Sequence, residues 1–471
     1  MLLSHSLDQI AIRVRRGDSE LRVDTLNRQA LDFTEGPIAK KMLLFAGPIF
    51  FSNILQTSYQ FVDSLWVGNL LGADALAALS ISTPITFAVL SFMIGINGTT
   101  LTILSQHRGQ GDHEGIRKSL NAFVVILGSL SLLLGFAGYA SAEFLLRLIG
   151  TPEELMEMAK IYLEINFIGI VFLLGYNFIG TVLRALGDSK TPIYFILAAV
   201  VLNIILDPLL IAGFGWGMAG AAYATVIAQG AAFIYGVVFC IIKGRVPFTK
   251  PTIPEKKYAK AVFRLGLPGG FQMVAISSGM VVIMSIVNSF GATVVAGFGA
   301  AQRIESIIIM PAQTLGSAVN SMAGQNIGAN KWRRVTQISY TGLAIIATLS
   351  LAISTLVFLN AEMLISMFVS DDPTIAFGTT YLRFTAFFYL FLGANFVLNG
   401  IMRSSGAMFQ VLILNIISFW VLRFPLVYLF SYYFGEIGIA YGYGASLGVS
   451  SLVATLYYFF GKWRDVKIYD E

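Results

Sequence analysis

Apolar runs of 18 or more residues, long enough to cross about 30 Å of hydrocarbon as a helix, recur twelve times along the 471 residues. They fall near residues 43–66, 78–104, 120–142, 160–183, 192–213, 218–242, 265–289, 296–323, 337–360, 377–402, 410–433 and 438–461. Within them apolar and polar positions do not alternate with period two, so the pattern argues against a transmembrane barrel. The expected fold is an all-α polytopic membrane protein of twelve transmembrane helices in two six-helix bundles.

The pattern also repeats. Pro48 at the start of span 1 matches Pro268 at the start of span 7, and Leu71-Gly72-Ala73 matches Phe290-Gly291-Ala292. After span 2, Ser105-Gln106-His107-Arg108-Gly109 aligns with Ala323-Gly324-Gln325-Asn326-Ile327-Gly328 after span 8, and Leu183-Arg184-Ala185-Leu186-Gly187 aligns with Met402-Arg403-Ser404-Ser405-Gly406. Six spans return the chain to its starting side, so the repeats have parallel topology, as in transporters whose two halves rock about a central site. The expected organisation is a tail over residues 1–40, a first bundle over 41–242, a linker over 243–264, a second bundle over 265–461 and a short tail over 462–471.

Charge sharpens the topology. Of 31 Lys and Arg residues, 26 lie in the two tails and in every second connection, whereas the alternate connections hold only Arg147 and Lys160. The positive-inside rule then places both termini in the cytoplasm. The basic residues sit in loops between apolar spans rather than in one patch, so the net charge of +5 speaks of topology and not of nucleic acid. The first 40 residues lack a long apolar core and a cleavage site, and suit either a short surface helix or disorder. With 56% hydrophobic and 12% charged residues, the composition departs from that of soluble domains. A single cysteine, Cys240, excludes a disulfide framework and cysteine-built metal centres. HExxH and GK[ST] patterns are missing, the one GxSxG run, Gly444-Ala445-Ser446-Leu447-Gly448, lies inside the last apolar span, and His5, His107 and His113 fall in the tail or a loop. The chain therefore reads as no enzyme and needs no cofactor.

Charged side chains inside spans are costly and mark functional candidates. Asp63 in span 1 and Asp207 in span 5 share the outer half of the first bundle. Each has a polar residue four positions earlier, Tyr59 and Asn203, on the same helical face, and Gln56 extends the stripe of span 1. Two carboxylates out of water can hold a proton near neutral pH and exchange it for a cation, or can ligate sodium together with amide and hydroxyl oxygens. Pro208 directly after Asp207, and Pro48 in span 1, are candidate hinges. In the second bundle Gln302, Arg303 and Glu305 of span 8 are candidate substrate-chamber residues, although positions two apart face different neighbours. Asn177 in span 4 is a candidate for the chamber wall. The many Phe, Tyr and Met side chains suit flat organic cations.

Asp63-Ser64-Leu65-Trp66-Val67-Gly68, Gly324-Gln325-Asn326-Ile327-Gly328-Ala329 and Leu183-Arg184-Ala185-Leu186-Gly187-Asp188 followed by Asn203-Ile204-Ile205-Leu206-Asp207-Pro208, in that order and spacing, resemble the multidrug and toxic compound extrusion (MATE) family over residues from about 36 to 465. Within it the chain is most similar to the DinF-like branch, which carries an aspartate in span 1 and another in span 5. The resemblance implies that Asp63 and Asp207 form a cation-coupling site completed by Asn203 and Asn177, with Tyr59 and Gln56 nearby. Gly180 departs from relatives that have a polar side chain there, and spans 7 and 10 lack the acids of the NorM-like branch. In relatives span 1 bends at a proline matching Pro48.

The implied activity is secondary efflux of amphipathic, often cationic small compounds across a prokaryotic plasma membrane in exchange for H+ or Na+, with the lipid bilayer and the substrate as partners and no obligate protein partner. The alternatives are a lipid-linked oligosaccharide flippase of the same superfamily, which needs a broad basic chamber where internal cations here are limited to Arg303, Arg383 and Arg423, and a non-transporting membrane scaffold.

Overall fold

The computed structural model describes residues 30–469, so most of the expected N-terminal tail, including its surface-helix or disorder alternatives, lies outside the described residues. All regular structure among the described residues is helical. Helices α1 to α9 are Ile38–Leu71, Ala73–Gln110, His113–Leu148, Glu153–Ala185, Thr191–Gly213, Gly217–Ile242, Lys256–Asn288, Ala292–Gly328 and Trp332–Ser366, and each is long and apolar enough to span. The tenth expected span is two helices, α10 (Asp372–Ala386) and α11 (Tyr389–Ser404), bent by 52°. Helical structure then runs over Met408–Phe460, 53 residues. At 1.5 Å per residue that is about 80 Å, more than twice a bilayer core. Gly435, with φ 66°, divides it: α12 (Met408–Ile416) and α13 (Phe424–Phe434) precede the break, and α14 (Gly438–Phe460) follows. Counted this way the chain has the twelve expected spans.

Two differences from the sequence reading are informative. The polar runs at Ser105–Gly109 and Gly324–Gly328, expected to lie after spans 2 and 8, are the last turns of α2 and α8. Loss of hydrophobicity ends a membrane span but not a helix, and α2 stops only at Gly111, whose φ of 71° closes it with a left-handed cap. The second difference concerns the expected hinge at Pro208, where α5 changes to a π-helix over Leu209–Gly213. Proline cannot donate to the turn before it, and the wider turn re-satisfies the backbone, Phe214 N–H reaching Leu209 O at 2.8 Å. A second π-helix, Ile417–Arg423, joins α12 to α13 and ends just before Pro425. Single-turn π segments inside α-helices are common at functional sites.

The chain folds as two compact units. The first comprises the described residues up to Asp32 together with Gly47–Val262, and the second Phe33–Ala46 with Phe263–Glu471. In the first, α4 is central and packs on α2, α3 and α6. Helix α6 also lies against the π segment of α5: a Cβ on Gly220 would stand 2.7 Å from the carbonyl carbon and oxygen of Leu210. In the second, a core of Ile304, Tyr381, Tyr389, Val427 and Tyr443 joins α8, α10, α11, α13 and α14. After α14 the chain folds back, with Trp463 buried and stacked on Tyr458 at 5.3 Å.

Candidate functional site

The first unit gathers its buried polar residues from three helices. Asp63 of α1 is 7% exposed, and Asn203 and Asp207 of α5 are fully buried. Helical spacing puts Asn203 one turn before Asp207, and the Asn203 amide donates to Asp207 Oδ1 at 3.0 Å. Asp63 takes its hydrogen bond from a different helix: Thr225 of α6 donates to Oδ1 at 3.4 Å. Both acids lie in the first unit. Tyr59 lies one turn before Asp63 on α1. One turn earlier, Gln56 donates to the hydroxyl of Tyr176 on α4 at 3.1 Å. Tyr59 packs against an apolar cluster of Tyr176, Ile196, Val200 and Ala232.

This arrangement is incomplete as a hydrogen-bonded network. Asp207 Oδ2 and Asn203 Oδ1 are both buried with no hydrogen-bond partner, although leaving a buried acceptor unsatisfied costs about 1–3 kcal/mol. Both belong to one turn of α5, and the Tyr59 hydroxyl on α1 is a third buried oxygen with no partner. A proton on the carboxylate, or a small hard cation, would satisfy them. The donors present are oxygen only, from two carboxylates, one amide and one hydroxyl, the ligand chemistry of an alkali or hard divalent ion. Among the described residues no three His, Cys, Asp or Glu side chains converge as a transition-metal site.

Of the residues singled out in the sequence, Asp63, Asp207, Asn203, Tyr59 and Gln56 come together on α1 and α5. Asn177 follows Tyr176 on α4, but its amide donates to Leu173 O at 2.9 Å, within its own helix. Pro208 opens the π segment directly after Asp207. Pro48 lies two residues past the junction of the two units inside α1, where its carbonyl accepts from Ser52 Oγ at 2.9 Å. Thr225 and Tyr176 were missed. Neither is charged, and Thr225 stands 162 positions from the acid it touches; only the fold of α6 onto α5 and α1 brings it there.

The second unit has its own polar cluster. Glu305 of α8 is 1% exposed, and its carboxylate accepts from Gln302 Nε2 at 3.0 Å and from the Tyr389 hydroxyl at 3.2 Å. Arg303 turns away, exposed, toward the Phe368 ring at 6.0 Å. Residues two apart on a helix diverge in this way. Arg423, at the end of the second π-helix, is buried between the rings of Phe419 and Tyr443, 4.1 and 4.6 Å from their centroids, and donates from Nε to Ser446 Oγ at 3.2 Å. The repeat thus places a carboxylate at one π segment and a guanidinium at the other.

The same duplication appears in comparison with known proteins. A sequence model of the MatE family matches twice, over residues 48–209 and 268–429. The chain is 52% identical over 443 residues, 94% of its length and 100% of the relative's, to the probable multidrug resistance protein YpnP of Bacillus subtilis. It is 32% identical over 441 residues, 91% of its length and 95% of the relative's, to the probable multidrug resistance protein YoeA of the same organism. A crystal structure of a MATE protein in complex with MaL6 shares the fold, with a TM-score of 0.85 at 23% identity, covering 92% of this chain and 99% of that one. Two matched halves, a relative above half identity along its whole length, and a bundle of twelve apolar spans together place this multi-pass membrane chain in the MATE family, whose members are transporters and not enzymes.

Proposed function

We propose that this protein is a secondary multidrug efflux transporter that expels small amphipathic, chiefly cationic compounds in exchange for H+ or Na+ taken up at Asp63 and Asp207. The observation that carries the reading is the pair of buried carboxylates on α1 and α5, braced by Thr225 and Asn203 and left with two unsatisfied oxygens. A buried carboxylate with no cationic partner is expensive to keep for structure alone. It is useful where a cation must be taken up on one side and released on the other. In this reading a cation bound at the Asp207–Asn203 turn satisfies the orphaned oxygens and neutralises the repulsion between the acids. Its release lets α1 and the π segment of α5 relax, and the alternation drives the substrate outward. Sodium, if it is the coupling ion, would be held by Asp63, Asp207, Asn203 and Thr225.

The names of the relatives support multidrug export. The distribution of Lys and Arg supports cytoplasmic termini in a plasma membrane. The five-part division of the chain into two tails, a linker and two bundles, and the membership of the DinF-like branch, belong to the same proposal. Gln302 and Glu305, with Arg303 at the margin, are its second-bundle chamber residues, while Asn177 lines the α4 side.

The test is transport in liposomes carrying the purified protein, with an imposed pH or sodium gradient and an organic cation such as ethidium. The reading expects substrate movement that depends on the gradient and is lost in the Asp207→Asn variant. Gradient-driven transport at an unchanged rate in that variant would overturn it.

A further inference from the structure

The sequence motif at the end of α8 and the basic residues after it remain unused by the transport reading, and the structure gives them one shared task. The segment Phe33–Ala46 belongs to the second unit. Asn326 Nδ2 and Arg334 Nε both donate to Phe33 O at 3.0 Å, Lys331 Nζ donates to Thr34 O at 3.1 Å, and Arg334 Nη2 donates to Glu35 O and Gly36 O at 2.6 and 2.7 Å. Gln325 Oε1 accepts from the Phe33 N–H at 3.3 Å. Four consecutive carbonyls are therefore held by three side chains, two of them cationic, and charge-assisted bonds of this kind are the strong ones. The Phe33 ring is fully buried, edge-on to Phe45 at 4.8 Å. The turn between α8 and α9 is shaped for the grip: Asn330 takes the left-handed conformation at φ 58°, and Lys331 N–H closes on Asn326 O at 2.7 Å, which carries Lys331 and Arg334 back toward the segment.

Further along α1 the two units divide between Ala46 and Gly47, one residue before Pro48, which cannot donate to the preceding turn of its helix. The approach to α7 has a counterpart. The stretch from Lys243 to Val262 belongs to the first unit, where Asn121 exchanges two 2.9 Å hydrogen bonds with Thr252 and Lys118 meets Glu255 at 2.9 Å. The chemistry differs between the repeats, while the anchoring of each entry segment recurs.

We propose that Asn326, Lys331 and Arg334 are positioning residues for transport: they keep the start of α1 docked on the second unit throughout the cycle, so that bending of α1 is confined to Pro48 and the stretch beyond it that carries Asp63. The proposal rests on the transport reading. Its test is a pair of cysteines, Thr34→Cys and Lys331→Cys, in a Cys240→Ala background, assayed in liposomes before and after joining with a short bismaleimide. The joined protein, in which the cross-link stands in for the lost Lys331 grip, is expected to transport at least as fast as the unjoined one. A loss of about tenfold or more on joining would show that the segment must release, and would overturn the proposal.

The Arg334→Ala variant is expected to lower the maximal rate about tenfold with KM within about twofold, and Arg334→Lys to recover part of the loss. An unchanged rate in Arg334→Ala also overturns it. Should the wild-type protein transport nothing, the transport reading fails on its own. Docking is then read from hydrogen exchange of the Phe33 amide, expected to be slow in the wild type and fast in Arg334→Ala, and equal exchange in the two would refute the grip.

Discussion

Substituting Gly220 by alanine tests how the site is assembled without touching a polar atom. The added Cβ would stand 2.7 Å from the carbonyl carbon and oxygen of Leu210 and 2.9 Å from the Ile211 amide nitrogen. Ordinary contact begins at 3.4 Å, so α6 must retreat from the π segment by roughly 0.7 Å, and the obstacle is backbone, which cannot swing aside. Overpacking of this kind costs about 1–3 kcal/mol. Thr225, just over one turn further along α6, would move away from Asp63, where its hydrogen bond is already 3.4 Å long. A misplacement approaching 1 Å can cost up to about a hundredfold in rate. We expect a lower thermal midpoint and a loss of substrate-driven ion flux of at least about tenfold. Gly98→Ala is the control, since its Cβ meets nothing within 4 Å, and in a helix alanine is favoured over glycine by up to about 1 kcal/mol. If the two variants behaved alike in thermal unfolding and flux, the argument that close approach of α6 to the π segment sets the site would be refuted.

Three further outcomes follow. Thr225→Val removes the hydroxyl while keeping the shape, and should reduce transport about fivefold for the loss of about 1 kcal/mol, with Thr225→Ser close to wild type; equal rates for Val and Ser would remove Thr225 from the site. Tyr389→Phe deletes one donor to a carboxylate that is 1% exposed, and should lower stability by about 1–3 kcal/mol as read by thermal unfolding in detergent, an effect that a Glu305→Gln background should diminish. Arg423→Lys retains the charge but loses the planar stack between Phe419 and Tyr443, so it should destabilise the second unit nearly as much as Arg423→Met; full stability in the lysine variant would show that the rings contribute nothing.

Much of this architecture is legible in the sequence because lipid imposes a one-dimensional rule: each crossing needs a long apolar run, and the basic loops between them set direction. Asp63, Asn203 and Asp207 stand out for the same reason, since charge and amide are rare in such runs. What escapes is whatever depends on neighbouring helices. Thr225 looks like any small residue of α6 until the close approach at Gly220 brings it beside Asp63. The π-helices need a register of backbone bonds that Pro208 suggests as a kink but does not specify. For Asn177 and Arg303 the sequence supplies the chemistry but not the immediate contacts, which are Leu173 O and the Phe368 ring. Helix ends are misjudged for a further reason, because Gln106, Gln325 and Asn326 continue helices beyond the point where hydropathy falls.

The central claim is that one buried acid pair trades a cation for substrate. It is tested most directly by adding substrate to purified wild type, Asp63→Asn and Asp207→Asn in weakly buffered detergent solution, and following proton release with a pH dye and sodium release with a sodium electrode. The account predicts that substrate displaces protons or sodium from the wild type and that neither ion is released by Asp207→Asn at any substrate concentration. Equal release from wild type and Asp207→Asn would contradict it and place the coupling site elsewhere in the chain.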